Sequence, residues 1–248
     1  MKHTSRILSV LSLALALASA PALAQGPAMA GGSSNPWSMF EEQLGLETTY
    51  SVDMLISAMG MNMESRIIRD GGRTRTEMTM PFLNMKTVVL EIPQGGRTVS
   101  YTLFPDKKKR LMNEDIMDAM ANLPTPQIQE LGTEEFEGAT CIKRRVTMEH
   151  EGMKSRMDIL FSPKVRDMPV KMTVQATLPP GMGQPDMPME TTVLFRNYDF
   201  GTPDSSLFAV PSDYAEVSDM MEIMMGEGSE GLGALMQQMQ METGGTDQ

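Results

Sequence analysis

The residues in this sequence best suited to chemistry are thioethers. Among 248 residues there are 28 methionines, against an aromatic content of 5%. Several fall in alternating runs: Met59-Gly60-Met61-Asn62-Met63, Met78-Thr79-Met80 and Met187-Pro188-Met189. Residues i and i+2 of a strand share a face, so such a run can present paired sulfurs to one ligand. Thioether sulfur is a soft donor that selects Cu(I). It is also flexible and polarizable, and lines irregular apolar surfaces well. Three readings therefore stand side by side: a soft-metal site, a deformable lining for an apolar ligand, and plain core packing. Cys141 is the only cysteine. It can form no intramolecular disulfide, and its place beside Ile142 in a strand-like segment predicts burial. A nucleophilic thiol would need a neighbouring histidine, and past the leader only His150 is present. The chain carries no His cluster, G-x-S-x-G elbow or phosphate-binding loop. The sequence thus predicts no cofactor and a binding protein rather than an enzyme.

The N-terminus reads as a secretory leader. Lys2 and Arg6 precede an apolar run from Ile7 to Ala20, Pro21 breaks it, and Ala22-Leu23-Ala24 offers a small-residue cleavage site. The run is shorter than the roughly 20 residues a membrane span needs. No second run is long enough, so residues 25–248 are expected to lack a transmembrane segment. No cysteine follows the cleavage site, which leaves a soluble periplasmic or secreted protein. The net charge of -11 disfavours phosphate backbones, so nucleic acid is not an expected partner.

These residues must be held by a mainly β domain. Residues 25–34 are Gly-rich and expected to be disordered. Asn35-Pro36 has the form of a helix start, and Trp37, Phe40, Gln43 and Leu44 give a short amphipathic helix that Gly45 can end. From Thr49 the apolar period is two, with one strand expected through Met63 and kinked at Gly60. Asp70-Gly71-Gly72 and Gln94-Gly95-Gly96-Arg97 are hairpin turns. About nine short strands follow one another in this way. A second helix is expected from Asn113, with Ile116, Met117, Met120 and Leu123 on one stripe, ended by Pro124 and Pro126. Lys107-Lys108-Lys109 reads as an exposed hairpin tip or a docking patch for an acidic partner. The domain spans 35–217, and residues 218–248 form a Met-rich, flexible tail. The apolar sheet face must be buried, and helical residues are too few to cover it. A sheet curved on itself is the solution.

Several segments in order resemble a known family: Thr49-Tyr50-Ser51-Val52-Asp53-Met54, Pro105 to Met112, Gly138 to Lys143, Phe161-Ser162-Pro163-Lys164, Met168 to Met172 and Ser206 to Tyr214. Together they are similar to a periplasmic branch of unknown function related to the LolA/LolB lipoprotein carriers. The resemblance implies an α+β fold: a strongly curved antiparallel sheet forming an incomplete barrel, with one to three helices on its concave face. It also implies a cavity for acyl chains. The expected lining is Met54, Ile56, Met61, Met63, Met78, Met80, Leu103, Met157, Ile159, Met172 and Val193. The expected partner is an apolar small molecule or acyl chain, with another envelope protein as a further possibility. The alternatives are a Cu(I)-binding protein and a structural or interaction domain with a filled core.

Overall fold

The computed structural model describes residues 41–58, 60–80, 84–113, 125–150, 153–177, 189–218 and 220–224. Helix α1 covers Glu41–Leu44. It stops where expected: Gly45 takes φ +67°, and its N–H donates to the Glu42 carbonyl at 3.1 Å. The expected helix after Asn113, the 25–34 segment, the leader and most of the tail lie outside the described residues.

Twelve strands follow: β1 (Thr49–Ala58), β2 (Met61–Asp70), β3 (Arg73–Met80), β4 (Met85–Gln94), β5 (Arg97–Phe104), β6 (Lys109–Met112), β7 (Gln127–Phe136), β8 (Ala139–His150), β9 (Met153–Ser162), β10 (Met168–Thr177), β11 (Met189–Asp199) and β12 (Ala215–Val217). A five-residue helix, α2 (Met220–Met224), comes last. The strands form one curved, unclosed sheet in the order β12-β6-β5-β4-β3-β2-β1-β11-β10-β9-β8-β7. Every neighbouring pair is antiparallel except β12 and β6. Gly60 is a correction to the sequence reading. The stretch Thr49 to Met63 is not one kinked strand but β1, a turn at Gly60 with φ +79°, and the start of β2 folding back on it. The turns after Asp70 and Gln94 fall where their glycines require.

Cross-strand partners share a face, so the register sorts the side chains. Met54 lies opposite Ser65 and Phe195, Ser65 opposite Met78, and Met78 opposite Thr87. Val193 lies opposite Ile56 and Met172, and Met172 opposite Ile159. All of these belong to one surface, here termed the core face. The main core stands on it, with Val52, Ile67, Ile159, Met172 and Val193 each at 0% exposure. The opposite face is charged, with Arg145 paired to Asp158, Lys143 to Glu134 and Arg66 to Asp53. It is covered at β3 to β5 by the segment 201–214, where Val210 and Tyr214 pack on Val88, Leu90 and Leu103. On the same face, at β8 in the other half of the sheet, Cys141 is fully buried beside Ala139 and Leu160.

Core packing is expected to dominate stability. Met172→Ala removes a fully buried side chain and should lower the unfolding free energy by about 2–5 kcal/mol in urea titrations. Leu131→Ala, at an exposed site on edge strand β7, should stay within about 0.5 kcal/mol of the parent.

Candidate functional site

Ten of the eleven residues expected to line a cavity lie on the core face, and they divide by depth. Met54, Met157, Ile159, Met172 and Val193 are buried and packed into the main core. Ile56, Met61, Met63, Met78 and Met80 are only half-buried. The second set clusters in space. Met61 and Met63 on β2 lie opposite Ala58 and Ile56 on β1, and Met78 and Met80 stand on the next strand, β3. They form an apolar mouth at one end of the core face, on β1, β2 and β3. The eleventh residue, Leu103, points the other way. It lies opposite Val88 and Arg110 and is buried under segment 201–214.

The mouth has two flanks. On one side Met80 packs against Met85, Phe104, Met220 and Ile223, so α2 borders it. Two of the three lysines in the 107–109 run hold that helix. Lys107 Nζ donates to the Ile223 carbonyl at 2.6 Å and Lys109 Nζ to the Glu222 carbonyl at 3.2 Å. Cations suit the negative end of a helix. Lys108 pairs with Asp213 at 2.9 Å. The lysine run is therefore an internal latch on α2, a role its charge alone did not reveal. Further in, the core face turns polar, with Thr74, Thr76, Thr87, Glu91, Ser100 and Thr102 all buried. The hydroxyls of Thr76 and Thr87 have no hydrogen-bond partner.

Behind this strip lies an ion pair. Arg69 Nη2 meets Glu41 Oε2 at 2.6 Å, with the side chains 14% and 7% exposed, and Arg69 Nη1 donates to Thr74 Oγ1 at 2.6 Å. Burial pushes the Glu41 carboxyl above its ordinary value, and Arg69 pulls it part of the way back. The opposite face carries a groove of about 690 Å³ lined by Asp53, Glu64, Arg66, Arg75, Glu77 and Lys86. Its charges are largely paired within the chain, Arg66 with Asp53 at 3.3 Å and Arg75 with Glu77 at 2.6 Å. Among the described residues, no group of three or more His, Cys, Asp and Glu could hold a metal, and no helix is long and apolar enough to cross a membrane.

No family model matches the chain. No curated protein matches it either. Solved structures of similar fold include an uncharacterized conserved protein from Thermus thermophilus, at 11% identity over 73% of this chain and 94% of that one, with a TM-score of 0.46. Another is a domain from Vibrio parahaemolyticus described as an outer membrane lipoprotein-sorting protein, at 12% identity over 68% and 94%, TM-score 0.35. The lipoprotein LppX of Mycobacterium tuberculosis matches at 10% identity over 68% and 99%, TM-score 0.35.

The ion pair gives a pH signature. Arg69→Met leaves Glu41 buried without its counter-charge, which should cost about 3–5 kcal/mol at pH 7. Glu41's folded pKa is raised, so its stabilising contribution is complete below the ordinary value of 4.5 and is lost as pH rises through the folded value. Losing Arg69 raises that folded value further. Stability curves from pH 4 to pH 8 should therefore converge for variant and parent at the acid end and diverge at the neutral end.

Proposed function

We propose that this protein is a binding or carrier protein of the bacterial envelope that holds a lipid or other apolar ligand against the core face of its half-barrel. One observation carries the reading: the half-buried mouth of Ile56, Met61, Met63, Met78 and Met80. A sheet that only needed a filled core would bury these side chains as completely as it buries Ile159 and Met172. Instead five large apolar residues on three adjacent strands stay partly open, next to a packed apolar floor. Contiguous apolar surface of this kind marks a contact site. Its thioethers change shape at low cost, which suits acyl chains of varied length. Entry at this end requires no disruption of the Met54–Phe195 layer below. The chain is delivered to the envelope by the leader at 1–24.

The measurement is a native mass spectrum of protein purified from its own periplasm. A lipid-sized adduct that organic solvent releases is expected. Met78→Glu places a charge in the mouth and should abolish the adduct while the circular dichroism spectrum and unfolding midpoint stay close to the parent. The bare chain mass from the parent protein contradicts the reading, and a copper adduct replaces it with soft-metal binding at the same thioethers.

A further inference from the structure

Three hydroxyls on the core face are buried without a partner, those of Thr76, Thr87 and Thr191, and the first two stand on adjacent strands at the inner end of the mouth. Thr76 is 0% exposed and Thr87 2%, and the Oγ1 atom of each makes no hydrogen bond. Both are on the core face. Thr87 lies directly opposite Met78. Thr76 precedes Met78 by two residues on the same face and lies between Ile67 and Val89 of the flanking strands. Their neighbours across the ladders are thus apolar side chains that offer no hydrogen bond. A buried hydroxyl left unpaired is a standing cost, and valine would fill the same space without it. Threonine at both positions is explained if a ligand supplies the missing partner.

We infer that Thr76 and Thr87 form a hydrogen-bonding step that receives the ester or hydroxyl group of an uncharged amphiphile, an acylglycerol, whose chain lies on Met61, Met63, Met78 and Met80. This rests on the carrier reading above and names its ligand class. A hydroxyl both donates and accepts, so it serves an ester carbonyl or an alcohol equally. An ionised headgroup would need a free cation. Among the described residues the register places Arg69, Lys109 and Arg144 on the core face; each is engaged, although the buried Nε of Arg69 has no partner of its own. Arg69 is held by Glu41 and Thr74. Lys109 donates to the Glu222 carbonyl. Arg144 donates to the Leu44 carbonyl and stacks over Phe161. Neutral headgroups are therefore favoured over fatty acids of equal length.

The test sets monoolein against oleate as competitors for a bound fluorescent probe, N-phenyl-1-naphthylamine, on the full-length protein. Monoolein should displace the probe at a concentration about tenfold or more below that of oleate, since each well-made hydrogen bond is worth close to a factor of ten. In the Thr76→Val/Thr87→Val protein that advantage should vanish through weaker monoolein binding alone. Thr76→Ser/Thr87→Ser, which keeps both hydroxyls, should preserve it. Without ligand the valine protein should melt at or above the parent temperature, because two unpaired buried groups are gone. Equal or tighter oleate binding, or an unchanged preference in the valine protein, overturns the inference and leaves the carrier reading intact. A clear fall in the melting temperature of the valine protein assigns the hydroxyls a structural role and also overturns it. Failure of both competitors to displace the probe removes the carrier reading together with this one.

Discussion

The ladder between β1 and β11 holds the two halves of the sheet together. One half runs from β2 to β6 on one side of β1, and the other from β10 to β7 beyond β11. Within each half the strands are joined to sequence neighbours by short turns, so their pairing is local and entropically cheap. The β1–β11 ladder closes the whole domain, with Met54 opposite Phe195 and Ile56 opposite Val193. It also fixes parity. A slip of one residue would turn the core residues of one half toward solvent while the other half stayed in place. The apolar residues that prevent such a slip are those of the packed floor, from Val52 and Met54 on β1 to Val193 and Phe195 on β11. The mouth stands at the outer end of this same ladder, around Ile56. A rigid floor and an accommodating rim therefore come from one pattern of alternation that is filled at one end and left open at the other.

Polarity on the core face follows a gradient along the strands. Going inward on β3, Met80 and Met78 give way to Thr76 and Thr74. On β4, Met85 gives way to Thr87 and, beyond Val89, to Glu91. Arg69 on β2 closes the series with its bonds to Glu41 and Thr74. An amphiphile laid along these strands meets thioethers first and hydroxyls second. The α2 helix borders the thioether end, fastened by Met220 and Ile223 on its apolar side and by Lys107 and Lys109 at its carbonyls.

Much of the sheet was legible in the sequence because glycine turns and period-two alternation are local signals. The hairpins at Gly71 and Gly95 needed no tertiary information. At Gly60 the apolar alternation passes from even positions to odd ones, a change of phase that a tight turn produces and that the expected kinked strand does not explain. The face of most cavity candidates was legible for the same reason: even positions on β1 and β3 and odd positions on β2 follow from one alternation. Leu103 broke the pattern. On β5 the apolar residues Val99, Tyr101 and Leu103 face away from the core, while Ser100 and Thr102 face it. The rule that the apolar side is the core side fails there because segment 201–214 packs on the other face, far away in sequence. The half-burial of the mouth and the latch role of the lysines were illegible for the same reason, since both depend on which distant segment does or does not arrive.

The most direct test of the central claim is a methyl NMR titration of protein labelled at the methionine ε-carbon, with monoolein in a detergent-free carrier. The methyls of Met61, Met63, Met78 and Met80 should shift together and saturate at one concentration, while those of buried Met157 and Met172 remain in place. Shifts confined to Met112, on the opposite face, or no shifts at saturating lipid, would contradict it.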